Sequence, residues 1–376
     1  MAMSRPLQVI LDVTARCNLK CIMCYFAGTD RLHFPPRELP SPEDGNMPVA
    51  TFEKIAGELF PRAWRVALGC AAEPMIHPQF QRILEIAGGY GVPDLWFPTN
   101  LLALSEASIE TMIRAKVRTV AASIDGLTKD TYEKIRVPAR WEQLLSRLAL
   151  LEDVKRRRGV ETPRLRIIFT WMRSNRQELT ALPAFAQKHG AVELDVRYVA
   201  PTVGVDVGPE LLRDEDPRAL RADLAATARE AVARGLRLSS YPDFEAREDL
   251  PRDLIGRIRR RWWRIRAGID KREHVRYMWD QRISGCAYPG HYYVIRPNGA
   301  ISPCIYWEGE PIGAFPAQSL GEIRRSSMLT RIRTGLRRGE PIGSCASCTE
   351  SRAALYRLRP ARPGAERSRQ LPTHPG

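Results

Sequence analysis

The chain has 376 residues, 44% of them hydrophobic, and a formal net charge of +15. That length supports one large core with a smaller unit appended. No apolar run is long enough to span a bilayer, and Met1-Ala2-Met3-Ser4-Arg5-Pro6 leads into none, so neither a helical membrane span nor a secretory leader is expected. The expectation is a cytoplasmic protein without a membrane partner. In such a chain the eight cysteines read as metal ligands or reactive thiols rather than disulfides.

From Leu7 to about Pro201 strand-like and helix-like stretches alternate. Leu7–Val13 is an apolar strand. Pro48 opens a helix over Val49–Phe60, because the first helical position needs no amide hydrogen. Arg65–Leu68 is the next strand, and Pro78–Ala87 carries apolar residues at helical spacing. Leu95–Pro98, Thr119–Ile124, Leu165–Trp171 and Val192–Val199 are further strands, with helices near Glu106–Lys116, Trp141–Arg157 and Arg176–His189 between them. Six strands alternating with helices predict a parallel sheet with ligands at the strands' carboxyl ends, a barrel or a doubly wound sheet. Thr29–Met47, rich in proline and charge, reads as a mobile flap or a surface loop.

Residues 202–217 read as a loop, Leu220–Arg234 as a helix, Leu236–Tyr241 as a strand and Arg252–Trp279 as a long basic helix. Within that helix Arg261-Trp262-Trp263-Arg264 interleaves charge and aromatics, as single-strand nucleic-acid binders do. It equally fits an amphipathic helix with packed tryptophans and solvated arginines, and that is the expectation, with no nucleic-acid partner. Tyr292–Arg296 and Ala300–Pro303 flank Pro297-Asn298-Gly299 as a β-hairpin. Pro360–Gly376 has no core-forming pattern and reads as a disordered tail. The expected limits are 1–241 for the barrel, 242–283 for a basic helical linker, 284–358 for the second unit and 359–376 for the tail.

Cys17, Cys21 and Cys24 follow the first strand in one short loop. Three thiolates on an iron–sulfur cube leave one iron open to a small molecule; a zinc site or buried structural cysteines are the other readings. The spacing Cys17-x3-Cys21-x2-Cys24 resembles the signature of the radical S-adenosylmethionine (SAM) enzymes. The resemblance implies a [4Fe–4S] cluster whose open iron takes the amino and carboxylate groups of SAM. It also implies reductive cleavage of SAM to a 5′-deoxyadenosyl radical, a reduced flavodoxin or ferredoxin as electron donor, and an α/β fold, a partial six-stranded (β/α) barrel.

The same resemblance supplies expectations for the strand ends. Leu68-Gly69-Cys70-Ala71-Ala72-Glu73-Pro74 is similar to the family's glycine–glutamate segment, so Gly69 and Glu73 would hold the amino group of SAM, with Glu73 alternatively a helix-capping acid; the loop is one residue longer than the usual pattern. Asn100, in Pro98-Thr99-Asn100, would reach the methionine or ribose part, or is only a turn residue. In Ser123-Ile124-Asp125-Gly126, Ser123 and Asp125 would face the ribose or carboxylate, with Asp125 alternatively a helix cap. Arg136 would pair with the SAM carboxylate, its planar fork suiting that task. Met23 stands where the family often has an aromatic residue.

The hairpin brings Cys286 and Cys304 together, and Cys345 with Cys348 completes a four-thiolate site that a zinc ion or a cluster would suit. This layout resembles the half-length SPASM domain called Twitch, a small α+β unit with one auxiliary [4Fe–4S] cluster. Four protein ligands leave that cluster no open iron, so its expected role is electronic. Cys70, outside both groups, is a candidate hydrogen-atom donor or simply a small residue at a strand end. The expected function is therefore a radical SAM oxidoreductase or epimerase acting on a small polar substrate, such as a carbohydrate, an aminocyclitol or a natural-product intermediate. No peptide-binding unit precedes the barrel in this sequence. A peptide maturase of the same chemistry is second, and a non-catalytic iron–sulfur or zinc protein on nucleic acid is third.

Overall fold

The structure, a computed structural model, describes residues 7–24, 44–199, 205–240, 286, 288–346 and 348. Most of the expected flap, the linker with its arginine–tryptophan cluster and the tail lie outside the described residues.

Seven strands run parallel, from β1 (Leu7–Leu11) through β2 (Ala63–Leu68), β3 (Asp94–Thr99), β4 (Thr119–Ser123), β5 (Arg164–Trp171) and β6 (Ala191–Tyr198) to β7 (Arg237–Ser240). Between them run α1 (Val49–Leu59), α2 (Phe80–Gly89), α3 (Glu106–Arg114), α4 (Lys129–Ile135), α5 (Trp141–Arg158), α6 (Leu182–Lys188) and α7 (Pro217–Ala233). The helices form because their apolar residues recur at one face: α1 buries Phe52, Ile55, Ala56 and Leu59, and α5 buries Leu144, Leu148, Leu151 and Val154. The basic end of α5 follows the helix dipole. Arg156 and Arg157 pair with Asp153, Arg157 also with Glu106, and Arg158 with Glu110 on α3. That run of charge is a solvated, internally paired face.

The two faces of the sheet differ in kind. Leu7, Val9, Leu11, Val66, Leu68, Leu95, Phe97, Val120, Leu165, Ile167, Phe169, Leu194 and Val196 belong to the main core. The alternate positions, on the opposite face, include Asp12, Arg65, Trp96, Arg166, Glu193, Asp195, Arg197 and Arg296. Branched apolar residues usually fill a barrel interior; here charge and one indole line much of it.

The expected separate hairpin is joined to the barrel. β8 (Tyr292–Ile295) pairs parallel with β1, Gln8 opposite Tyr292 and Leu11 opposite Ile295. β9 (Ala300–Ser302) and β10 (Gly313–Ala314) extend the same ten-stranded sheet antiparallel, covering an edge that would otherwise expose unpaired backbone groups. α8 (Leu320–Arg324) and α9 (Ser327–Arg338) follow, and Glu58 on α1 accepts the Leu320 N–H at 3.1 Å.

Three expectations change. Arg173–Ala181 winds as a 3-10 helix, and α6 starts only at Leu182 with Pro183 in its first turn. The segment before α1 ends anchored: Met47 is fully buried and donates to Val13 O at 2.8 Å, and Thr14 Oγ1 meets Asn46 Oδ1 at 2.8 Å. β7, the strand expected at Leu236–Tyr241, joins the parallel sheet beside β6, extending the six-stranded alternation.

Gly299 holds the hairpin turn at φ +83°, and a Cβ there would lie 1.9 Å from Phe315 O. Gly299→Ala is therefore expected to cost about 2 kcal/mol or more and to lower the thermal unfolding midpoint by several degrees. Calorimetry checks this, and an unchanged midpoint contradicts it.

Candidate active site

The cysteine loop begins where β1 ends and is held by backbone bonds to the segment after α4: Lys20 N–H to Val137 O at 2.6 Å and Ile22 N–H to Ile135 O at 3.0 Å. Leu19 N–H donates to Cys17 Sγ at 3.4 Å, and Arg136 Nη1 lies 3.9 Å from Cys21 Sγ. Burial first, then the charges at Glu73, Cys21 and Cys24, push the Cys17 thiol up to about 11. Burial likewise raises Cys21, with Arg136 acting against it. Cys17 and Cys21 are costly to ionise where they stand, yet are supplied with N–H donors, and so are stable as thiolates only around positive charge. An iron–sulfur core supplies that charge, and N–H···S bonds are a usual part of such sites. The donor set fits the cluster.

Around this loop the structure gathers most of the residues expected at the strand ends. Glu73 is 2% exposed; Oε1 accepts from Thr99 Oγ1 at 2.8 Å and Met75 N–H at 3.1 Å, and Oε2 accepts from Asn100 N–H at 2.6 Å. Burial, partly offset by those bonds, raises its carboxyl to about 7. Glu73 N–H bonds Arg16 O at 3.0 Å, and Asn100 Nδ2 donates to Asn18 Oδ1 at 2.7 Å, so the loops after β2 and β3 both fasten to the cysteine loop. Gly69 has φ +111° and closes onto Pro74, a turn that only glycine makes without strain.

Asp125 is fully buried and ion-paired with Arg136. It also accepts Thr170 N–H at 2.7 Å, while its backbone oxygen accepts from Asn175 Nδ2 at 2.9 Å. The N-cap of α4 is Thr128, so Asp125 acts across strands and not as a helix cap. Arg136 is 8% exposed rather than at the surface. Burial opposes its charge, and Asp125, Cys21 and Tyr132 together outweigh that and raise it. Its Nε is buried without a hydrogen-bond partner among the described residues. Ser123 ends β4, half-buried on the inner face. Met23 packs beside Ile135, Met172 and Val199.

Cys70 stands apart from this group. Its N–H donates to Asp12 Oδ1 at 2.6 Å, and Asp12 Oδ2 pairs with Arg296 on β8 at 2.6 Å. Cys70 is exposed, with protein groups close around its thiol. That crowding, then Asp12, raises it to about 11. Arg197, held by Asp195 through Nε at 2.9 Å and Nη2 at 2.5 Å, acts electrostatically on Cys70.

The second set of thiols lies near enough to interact electrostatically: burial raises Cys304 to about 12, with Cys345, Cys286 and Cys348 adding to it. Tyr292, raised first by burial, packs against Ile10, Ala67 and Val294 and interacts with both Cys70 and Cys304. Asp12, Trp96, Asp195, Arg197 and Arg296 were not singled out from sequence. The signal available was the alternation Glu193-Leu194-Asp195-Val196-Arg197, charge at every second position of a strand whose other side is core.

Residues 11–163 match the family model of the Radical SAM superfamily, and residues 286–349 match that of SPASM, an iron–sulfur cluster-binding domain. Over 207 residues, 55% of this chain, it is 26% identical to the AdoMet-dependent heme synthase of Methanosarcina barkeri. Over 135 residues, 35% of this chain, it is 28% identical to the GTP 3′,8-cyclase of Aquifex aeolicus. Those matches span 54% and 40% of the two relatives' own lengths. Streptococcus suis SuiB bound to S-adenosylmethionine aligns over 95% of this chain and 75% of its own, with TM-score 0.62 and 16% identity, a likeness of fold.

Two expectations follow from the geometry. Asp125→Ala leaves the Arg136 charge buried without its partner and is expected to cost about 3–5 kcal/mol; a loss below 1 kcal/mol in urea unfolding would contradict this. Glu73, with its native value raised from 4.5 to about 7, keeps a proton that the unfolded chain releases, so its contribution to stability falls as pH rises through that window. Glu73→Gln, compared with wild type in the absence of SAM, should be less sensitive to pH between 5 and 7.5. Parallel pH profiles of the two proteins would refute it.

Proposed function

This chain belongs to the radical SAM superfamily and carries a SPASM iron–sulfur domain, and from that premise we propose that it abstracts a hydrogen atom from a polar substrate and returns one through Cys70. Cys17, Cys21 and Cys24 would hold the SAM-binding [4Fe–4S] cluster, and Cys286, Cys304, Cys345 and Cys348 the auxiliary one. When bound, cluster and SAM supply a 5′-deoxyadenosyl radical, the electron coming from reduced flavodoxin or ferredoxin. We assign residues 1–241 to the barrel and 284–358 to the auxiliary unit, and a cysteine set that reads as cluster ligands and a reactive thiol supports a reducing, cytoplasmic setting.

The chain's own residues orient the cofactor. Glu73 is the counter-charge for the amino group of SAM, with Asn100 and Gly69 shaping the same loop. An arriving ammonium favours the ionised carboxylate, so Glu73 would give up a proton on binding at near-neutral pH. Arg136, already committed to Asp125, has its Nε–H left for the carboxylate of SAM, and Ser123 offers a hydroxyl at the neighbouring strand end.

The observation that supports the hydrogen-return reading is the position of Cys70, an exposed residue on the loop after β2 whose N–H is held by Asp12 and which acts electrostatically with Arg197 of the inner face. Hydrogen-atom donation requires S–H, the form a thiol holds at neutral pH, and not thiolate. Delivered to the face opposite abstraction, that hydrogen gives an epimer of the substrate, and the thiyl radical left on Cys70 would be restored to S–H by one electron from the reduced flavodoxin or ferredoxin and one proton from water. Oxidation is the second reading, supported by Tyr292, which interacts electrostatically with both Cys70 and Cys304. A structure of SuiB with its precursor peptide SuiA has a similar fold, TM-score 0.61 at 15% identity, and supports a peptide as the alternative substrate of either reaction.

The test is an anaerobic, reconstituted preparation given dithionite, SAM and a metabolite extract in heavy water. Cys17→Ala should form no 5′-deoxyadenosine. Cys70→Ala should still form it while deuterium incorporation into product falls at least about a hundredfold. If incorporation persists in Cys70→Ala, the thiol is not the donor; if wild type forms a product without deuterium, oxidation replaces epimerisation. Cys304→Ala should retain part of the SAM cleavage and lose net turnover.

A further inference from the structure

One guanidinium at the mouth of the barrel has donors that the reading above does not use. Arg197 stands on β6 at a position alternate to Leu194 and Val196 of the core, so its side chain rises from the inner face. Asp195, two residues earlier, holds it through Nε at 2.9 Å and Nη2 at 2.5 Å. The two partners differ in exposure: the Asp195 side chain keeps 5% of its surface and that of Arg197 51%. The carboxylate is thus a buried clamp that presents an accessible guanidinium in a fixed direction. Nη1 has no hydrogen-bond partner among the described residues. Thr170, directly opposite Arg197 in the register of β5 with β6, is half-buried, and its hydroxyl is likewise unengaged among them.

The order of the strands tells what these groups face. Cys70 follows β2, and β3, β4 and β5 lie between β2 and β6, a span of roughly 19 Å along a flat sheet. Arg197 and Cys70 nevertheless act on each other electrostatically, and Arg197 also with Tyr306, in the loop just after Cys304. The curl of the sheet therefore turns them toward one opening, with Tyr306, 47% exposed, on its auxiliary side. We propose that Arg197 Nη1, with the Thr170 hydroxyl, seats an uncharged oxygen of the substrate, the hydroxyl of a polyol or the carbonyl of a peptide, and so sets which carbon faces Cys70. Two N–H donors beside a hydroxyl match an acceptor oxygen. Asp195 already balances the guanidinium one to one, so a carboxylate or phosphate would gain little there against its lost hydration. This rests on the reading that hydrogen returns through Cys70.

The experiment uses full-length reconstituted protein with SAM and no reductant, and reads how a metabolite extract protects Cys70 from iodoacetamide, by mass spectrometry of the peptide that carries it. Cys70 is exposed and is the one cysteine outside both cluster groups, so its alkylation reports occupancy of the opening without turnover. The extract should protect wild type saturably. In Arg197→Gln the half-protecting amount should rise about tenfold, the worth of one hydrogen bond to a charged group, each protein being referred to its own rate without extract. Thr170→Val removes only the hydroxyl and should raise that amount about threefold, which secures the test if Arg197→Gln does not fold; Thr170→Ser should restore protection. Periodate treatment of the extract, with the excess quenched, abolishes protection if the oxygen belongs to a polyol, and protease treatment does so if it belongs to a peptide. No saturable protection of wild type, equal protection of both variants, or protection that survives both treatments overturns the seat. Deuterium incorporation that persists in Cys70→Ala would instead strike the hydrogen-donor reading and leave the seat standing, since protection needs only that Cys70 borders the same opening.

Discussion

The carboxylate of Asp12 joins three parts of the molecule. It ends β1, one oxygen accepts the N–H of Cys70 after β2, and the other meets Arg296 at the end of β8. The residue is 2% exposed, so both contacts act in a low dielectric, where loss of a partner is far more costly than at the surface. The loop that carries Cys70, the start of the cysteine loop and the auxiliary hairpin therefore share one anchor. With the Asp125–Arg136 pair beside Cys21, it gives the mouth of the barrel two buried ion pairs from strands far apart in sequence.

The contrast between the two faces of the sheet explains how such pairs are tolerated. The outer face and the helices bury a continuous apolar core that includes Phe52, Phe60, Phe97, Phe169 and Trp171, and burial of that size dominates stability. The inner face contributes polarity, with its arginines held in fixed directions by partners that cross from strand to strand. Guanidiniums fixed in this way change little when a ligand arrives, which limits the entropy lost on binding.

What could be read in the sequence follows from how local each signal is. Cys17, Cys21 and Cys24 are neighbours in the chain, and their spacing alone names a site. The strands and most helices were visible because apolar periodicity is a property of short windows; the 3-10 turn at Arg173–Ala181 defeated that, being polar and leading into Pro183. The pairing of β8 with β1 had no local signal. The inner wall was hidden for the same reason, since Asp12, Trp96, Arg166, Arg197 and Arg296 come from different strands and meet only when the sheet curls. Glu73 and Asn100 could be singled out by resemblance, but the bond between them, and that from Asn100 to Asn18, belong to the fold alone.

The parallel pairing of β8 with β1 has a further consequence. The strand leading to the first group of cysteines and the hairpin that carries Cys304 are neighbours in one sheet, so the two groups of cysteines, nearly 300 residues apart in sequence, are brought near each other by a backbone hydrogen-bond ladder.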